Sequence, residues 1–369
     1  MLDFTSVLYL DMRHPRDALR PWTQLTTGRP AALESAPEAE RVARDLAQLL
    51  RCEGATLAPS TLHLFWDLFD VLASDRIAIY ADAGAYPIAR WGIERMAAKG
   101  VRTATFQMHD PAALEDLLHR DRGTGYRPVV VTDGVCPATG RTAPLPDYLR
   151  LVRERSGYLV IDDTQALGIL GQDPGRAAPY GRGGAGTPAW HAVEGPELIM
   201  GSSMAKGFGA PLAAVAGNAH LISKFENLSS TRVHCSPPSL AVINAAERAL
   251  AINARQGDSL RSRLAKLVQC FRDGLRHVGL SASGGFFPVQ TLKTIPGVDP
   301  RRLHGRLLSL GVRTVLHRAR SQPDPSLSFL ITARHTPSDI GAGVKALQSA
   351  CQLTRHERGR REQASSRAG

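Results

Sequence analysis

The sequence predicts an α/β protein, with a mainly parallel sheet covered by helices on both faces and a smaller α+β domain after it. Three observations carry that expectation. Short β-rich apolar runs alternate with amphipathic stretches through the first 250 residues. The runs are apolar throughout, as in strands buried on both faces. After a long helical pattern from about Ser239 to Gln269, the order changes to helix, strand, helix.

The strands expected in order are Ala55–Leu57, Ile77–Tyr80, Thr103–Phe106, Val129–Thr132, Tyr158–Ile161, Leu198–Gly201 and Ala213–Ala216. Between them, Glu38–Leu50, Ile88–Ala98, Pro111–His119 and Leu145–Arg153 repeat their apolar residues at helical spacing. Past the long helix, Pro300–Leu310 and Pro337–Leu353 read as helices, Val312–Leu316 and Ser328–Thr332 as strands. The expected organisation is an N-terminal segment over 1–25 packing with the small domain and a large domain over 26–250. A small domain over 251–354 and a basic tail over 355–369 complete it. The tail is Arg/Ser-rich and nearly free of apolar residues, so it is expected to be disordered.

Composition narrows the function classes. Hydrophobic residues make up 43% of the 369 and charged residues 21%, enough apolar matter for a full core. The formal charge of +11 is uneven: residues 251–369 carry 20 Lys+Arg against 7 Asp+Glu, a net +13, and residues 1–250 a net −2. A basic third fits a nucleic acid, a phosphorylated ligand or an acidic protein partner. The five cysteines show neither CxxC nor Cys/His metal spacing and suit a reducing cytoplasm. The start resembles no signal peptide, and no apolar run is long enough to span a bilayer. The expectation is therefore a cytoplasmic protein with no metal and no membrane contact.

Two motif matches carry no chemistry. Gly181–Gly186 fits GxGxxG but lacks the strand before it and the helix after it that dinucleotide binding requires, and reads as a flexible loop. Asn227–Ser229 is a sequon without meaning in a cytoplasmic chain. Neither a Walker A sequence nor HExxH occurs.

The chemistry lies in two segments. In Glu197–Pro211 a buried strand runs into Ser202 and Ser203, and Lys206 follows among small residues. A lysine leaving the carboxyl end of a central strand stands where α/β sheets place their sites. Partial desolvation there makes an amine nucleophile. Only six lysines occur in the chain, and this one alone follows an apolar strand with hydroxyls beside it. In Tyr158–Gly171 a buried strand ends in Asp162 and Asp163. A carboxylate beside a Schiff-base lysine is what keeps a pyridine nitrogen protonated, the condition under which pyridoxal 5′-phosphate (PLP) acts as an electron sink. The plainer alternatives are a surface lysine in a turn and an aspartate that caps one.

The chain resembles the α-oxoamine synthase family of fold-type-I PLP enzymes, through motifs that recur in the family's order. Asp3–Leu10 (DFTSVLYL) looks like its opening segment, and Asp82–Ile93 (DAGAYPIARWGI) like its D-x-x-N-H-A-S-x-x-x-G-I. Thr132–Leu145 is similar to T-[DE]-G-V-F-S-M-D-G-x-x-A-P-L, Asp162–Gly171 to D-D-A-H-x-x-G-x-x-G, and Ser203–Gly209 to T-x-S-K-x-x-G. Ser328–Thr336 resembles the closing R-x-T-x-T-A-x-H-T. The resemblance implies an aspartate aminotransferase-like fold with a seven-stranded, mainly parallel sheet and a homodimer with sites at the interface.

It also implies roles. Lys206 would carry PLP and move protons at the substrate α-carbon; Asp162 would hold the ring nitrogen. Tyr86 stands for the stacking histidine and Gln165 for a histidine that meets the ring hydroxyl. Ser203 would reach the phosphate, together with backbone amides of Ser60, Thr61 and Leu62 at a helix start. Asp133 lies in the substrate region.

The substrate half departs from the family. Its carboxylate arginine falls on Ser328, its opening asparagine on Val7, the serine after G-V-F on Pro137, and the partner-lent threonine near His234. Asp162 and Lys206 are 44 residues apart, a longer interval than usual, and it holds the Gly181–Gly186 loop. Either another arginine takes the carboxylate (Arg334, Arg318 or Arg320), or the substrate is not an ordinary α-amino acid. Three functions follow: an acyltransferase joining an amino-acid carbanion to an acyl thioester of coenzyme A or a carrier protein, an aminotransferase on the same scaffold, or a non-catalytic, nucleic-acid-binding descendant. Lys206 and Asp162 argue against the last.

Overall fold

The computed structural model describes the backbone of residues 1–317 and 325–366, and side chains as far as Thr354. The first half of the chain forms β1 (Leu2–Asp3), α1 (Pro37–Leu50), β2 (Gly54–Ala58), α2 (Thr61–Leu72), β3 (Ile77–Asp82), α3 (Pro87–Ala98), β4 (Arg102–Phe106), α4 (Pro111–Arg120) and β5 (Arg127–Asp133). Then come β6 (Val135–Cys136), β7 (Arg141–Thr142), α5 (Leu145–Arg153), β8 (Tyr158–Asp162), α6 (Thr187–Trp190), β9 (Leu198–Ser203), β10 (Ala213–Gly217), α7 (Ala219–Leu228) and α8 (Ser230–His234). The remainder is α9 (Leu240–His277), β11 (Ala282–Ser283), β12 (Val289–Leu292), α10 (Pro300–Ser309), β13 (Val312–Arg313), β14 (Val315–His317), β15 (Ser326–Leu330) and α11 (Pro337–Ser366).

Two compact units emerge: Met12–Cys136 with Thr142–Asp258, and Met1–Asp11 with Pro137–Arg141 and the chain from Ser259 onward. The larger is built on a seven-stranded sheet of order β2-β10-β9-β8-β5-β3-β4. Its strands are parallel except β10, which runs antiparallel to both neighbours. Val129, Val131, Val160 and Ile199 pack on one face against Leu64, Phe65 and Phe69 of α2 and Ile93 and Met96 of α3. Val130, Leu159 and Ile161 pack on the other against Leu114 of α4 and Leu149 and Val152 of α5. Burial on both faces explains why the strands read as unbroken apolar runs. Proline stands at the first position of α1, α3, α4 and α10, where a missing amide costs nothing. Asp110 and Asn218 cap α4 and α7 through their side chains.

The smaller unit has a four-stranded antiparallel sheet, β11-β12-β15-β14. The N-terminal segment completes it: β1 pairs with β13, and the Phe4 ring meets Phe329, Phe271 and His335 at 5.3, 6.5 and 4.6 Å. The single strand expected over Val312–Leu316 is two, β13 and β14, with different partners. β11 and β12 have no counterpart among the expected strands; they are short and only partly apolar.

Two expectations need correction. The Gly181–Gly186 loop is not a loose surface loop. It is tied to the residues after β8 by Gly168 N to Gly184 O, Gln172 N to Arg182 O and Gly186 N to Leu170 O, at 2.8–2.9 Å. Asn253 on α9 donates to Gly183 O at 2.8 Å. Its glycines take positive φ, which lets them turn tightly inside the protein. The disordered tail expected over 355–369 is helical as far as Ser366. Arg, Glu, Gln and Ala are good helix formers, and the stretch only extends a helix already nucleated and packed upstream. The site candidates Arg318 and Arg320 lie outside the described residues.

Candidate active site

Sheet register brings the site together. Asp133 at the end of β5 pairs with Asp162 at the end of β8, and Asp162 with Gly201 near the end of β9. Ser203, the last residue of β9, faces Ala213, which faces Ala58 at the end of β2. Every one of these ends lies on the carboxyl edge of the parallel strands. Side chains alternate along a strand, so Asp133, Asp162 and Ser203 share the face of Val131, Val160 and Ile199. That face is covered by α2 and α3, whose first residues stand over the same edge.

Lys206 follows β9 and is half-buried. Its Nζ lies 6.0 Å from the centre of the Tyr86 ring, which is exposed at the rim. Burial lowers the Lys206 ammonium below its ordinary range, against the opposing charges of Asp162 and Asp133. Gly207 and Gly168 hold this loop against the one after β8. A Cβ at Gly207 would sit 2.3 Å from the Leu167 carbonyl oxygen.

Asp162 is buried, and the Thr164 amide donates to its Oδ1 at 3.1 Å. Thr164 Oγ1 in turn accepts the Ser203 amide at 2.9 Å. Burial raises the Asp162 carboxyl, and Thr164 and the Lys206 charge pull it back. Asp133 is partly buried and accepts the Tyr86 amide at 2.9 Å. Burial first, and then the Asp162 charge, push it well above the carboxylate range.

Asp163 does a different job from Asp162. It lies on the other side of the strand, accepting the Thr187 amide at 2.9 Å and the Thr187 hydroxyl. Gly134 and Gly186 leave room for it, since a Cβ at either would run into its carboxylate oxygens. Burial pushes it up to about 7.

At the start of α2 the first in-helix bond is Leu64 N to Ser60 O at 3.1 Å. The amides of Thr61, Leu62 and His63 therefore have no acceptor within the helix. The Ser60 hydroxyl pairs with His63 Nδ1 at 2.8 Å and leaves those amides uncapped. Ser203 Oγ accepts the Ala205 amide at 3.2 Å. Gln165 follows β8 and is partly buried.

The predicted residues of the larger unit thus gather at one edge. Ser328 and Arg334 belong to the smaller unit. Ser328 is buried, its Oγ 2.8 Å from both Thr291 Oγ1 and His317 Nε2, whereas Arg334 is exposed. Sequence reasoning missed Thr164. A hydroxyl two residues after an aspartate is a recognisable turn signal, but its bridge to Ser203 is visible only in three dimensions. Among the described residues no cluster of His, Cys, Asp or Glu could hold a metal, and the five cysteines form no disulfide. A cavity of about 370 Å³ beside β2 and α1, lined by Thr56 and Arg232, contains none of the predicted residues.

No protein-family model matches the chain. It is 30% identical over 250 residues to the 8-amino-7-oxononanoate synthase of Thioalkalivibrio sulfidiphilus, covering 66% of this chain and 61% of that one. It is 31% identical over 252 residues to the enzyme of that name from Geobacter sulfurreducens, covering 67% and 61%. The chain therefore spans about three-fifths of the length of these relatives. Among solved structures, serine palmitoyltransferase from Sphingomonas wittichii superposes with a TM-score of 0.81 at 17% identity, covering 95% of this chain and 87% of that one. The 8-amino-7-oxononanoate synthase of Francisella tularensis gives 0.74 at 17% identity, covering 96% and 98%. The fold is that of the fold-type-I PLP-dependent transferases. Taken with the motifs and their order, the identity to these synthases shows that the chain belongs to the α-oxoamine synthase family.

Proposed function

We propose that the protein is a PLP-dependent transferase that condenses an amino-acid-derived carbanion with an acyl thioester of coenzyme A or a carrier protein. The observation that carries this is a half-buried amine, Lys206, facing the buried carboxylate of Asp162 at the carboxyl edge of a parallel sheet. The residues fit PLP. Asp162 is a buried carboxyl with which a protonated ring nitrogen would pair, α2 offers free amides for a phosphate, and Tyr86 offers an aromatic face beside the amine. When bound, PLP supplies an electron sink for the bond being broken at the substrate α-carbon.

The chain's own residues would do the rest. Lys206, its proton affinity lowered by burial, attaches the cofactor and then moves a proton at the α-carbon. Asp162 keeps the ring nitrogen protonated, and Thr164 keeps Asp162 ionised. Thr61 and Leu62 hold the phosphate through their amides, with Ser60 and Ser203 beside them. Tyr86 stacks and Gln165 donates an amide hydrogen bond. The net +13 over residues 251–369 suits the phosphates of coenzyme A or an acidic carrier surface.

A homodimer belongs to the same reading. α2 and α3 expose Leu62, Trp66 and Trp91, large apolar side chains of the kind that interfaces cover. No described helix is long and apolar enough to cross a membrane. Five cysteines without a disulfide among the described residues suit a reducing compartment such as the cytoplasm.

The decisive experiment adds PLP to purified protein, reduces it with borohydride and maps the modified peptide. Label on Lys206 that is absent in Lys206→Ala supports the assignment; no label refutes it. Amino acids and acyl thioesters are then supplied together, and thiol release is the expected product signal. Keto-acid formation without thiol release would favour the aminotransferase. Light scattering should give twice the chain mass of 39.8 kDa.

A further inference from the structure

Asp133 and Asp162 stand side by side on β5 and β8, in register and on one face of the sheet. Neighbouring strands are about 4.8 Å apart, so the two carboxyls share a single small volume. Two carboxylates held that close and away from water do not both ionise readily. The groups facing Asp133 are Asp162 on β8, Asp82 at the end of β3, Lys206 after β9 and the Tyr86 amide before α3. Lys206 thus meets two of these acids, Asp162 and Asp133.

The acids are not equivalent. Asp82 is already satisfied, accepting the amides of Gly84 and His109 at 2.7 and 3.0 Å and the Tyr148 hydroxyl at 3.3 Å. Thr164 turns to Asp162. Asp133 receives one amide, that of Tyr86; this bond favours the ionised form, but by less than burial and the neighbouring Asp162 charge oppose it, and the carbonyl oxygen of a neutral carboxyl can still accept it.

We propose that the Asp133–Asp162 pair carries one proton in the free protein, held on Asp133, so that Lys206 faces a single ionised partner in Asp162. Asp133 is then a positioning residue. It anchors the Tyr86 backbone without adding a second anion that would hold the Lys206 ammonium protonated. The inference rests on the reading of Lys206 as the reacting amine and deepens it. The direction in which burial and the Asp162 charge move Asp133 agrees with it.

The test uses the cofactor-free protein. Infrared difference spectra of wild type against Asp133→Asn at neutral pH should show a carboxylic-acid C=O band that the variant loses. In parallel, a small acylating reagent and peptide mass spectrometry give the pH at which Lys206 is half reactive. Asp133→Asn, which imitates the protonated acid, should leave that pH within about 0.3 units, while Asp162→Asn should lower it by about one unit or more. Absence of the band, or an equal shift in both variants, would overturn the proposal. Should Asp133→Asn fail to fold, carboxyl ¹³C titration of the wild type decides. An Asp133 resonance at the protonated position at pH 7 supports the assignment, and one at the ionised position overturns it. Borohydride fixation of PLP on Lys206 is a separate outcome. If it fails while the band is present, the cofactor reading falls and the proton assignment stands.

Discussion

Asp163→Asn should make the protein more stable above pH 7 and leave it nearly unchanged at and below about pH 4. Asp163 is 1% exposed, and burial raises its carboxyl from 3.8 to about 7. Between those values the folded protein binds a proton that the unfolded chain does not. The stability this group contributes is therefore complete below about pH 4 and is lost as pH rises through 7. The gap is about three pH units at about 1.4 kcal/mol each, or roughly 4 kcal/mol. Asparagine imitates the protonated acid. Its carbonyl can accept the Thr187 amide, and its NH₂ can donate to the Thr187 hydroxyl. It carries no titrating proton, so the penalty at high pH disappears. Urea unfolding of both proteins from pH 4 to 8, followed by far-UV circular dichroism, measures the difference. The two stability curves should converge at and below about pH 4 and separate by roughly 4 kcal/mol at pH 8, with the variant above. Parallel curves, or a variant less stable at pH 8, would refute the assignment of a protonated, purely structural Asp163.

Other perturbations probe the frame around the site. Gly207→Ala puts a Cβ 2.3 Å from the Leu167 carbonyl oxygen, a backbone atom that cannot swing aside. The Lys206 loop must shift, and PLP attachment should weaken at least tenfold while far-UV circular dichroism stays native. Thr164→Val removes the acceptor of the Ser203 amide and should cost about 1 kcal/mol in urea unfolding, with slower borohydride-trapped attachment. Phe4→Ala removes a fully buried ring from the smaller unit and should cost about 3–5 kcal/mol, with hydrogen exchange rising first in β1, β13 and β15.

Much of the site was readable along the chain. Lys206 and Asp162 stand out because an apolar strand that ends in a polar, potentially reactive side chain is a local pattern. The central strands were legible for the same reason, since burial on both faces removes every polar residue from Val129–Val131 or Leu159–Ile161. The small unit was less so. β11 and β12 are short, and the stretch from Val312 to His317 divides between two partners that lie far off in sequence. The Gly181–Gly186 loop looked loose because glycine signals freedom of φ. Whether that freedom becomes motion or a tight internal turn depends on what packs around it.

The sequence by itself determined the α/β class, the place of Lys206 and of the Asp162–Asp163 pair just after apolar strands, and the order of motifs that marks the family. Those properties are written in strand periodicity and in residues adjacent along the chain. Only the tertiary structure decided which of two neighbouring aspartates faces the amine. Alternation along β8 sends Asp162 to the α2–α3 face, and the turn after it sends Asp163 inward to Thr187. It also decided that Asp133, 29 residues earlier, stands next to Asp162. Register between strands is fixed by packing across the whole sheet, and no local pattern encodes it.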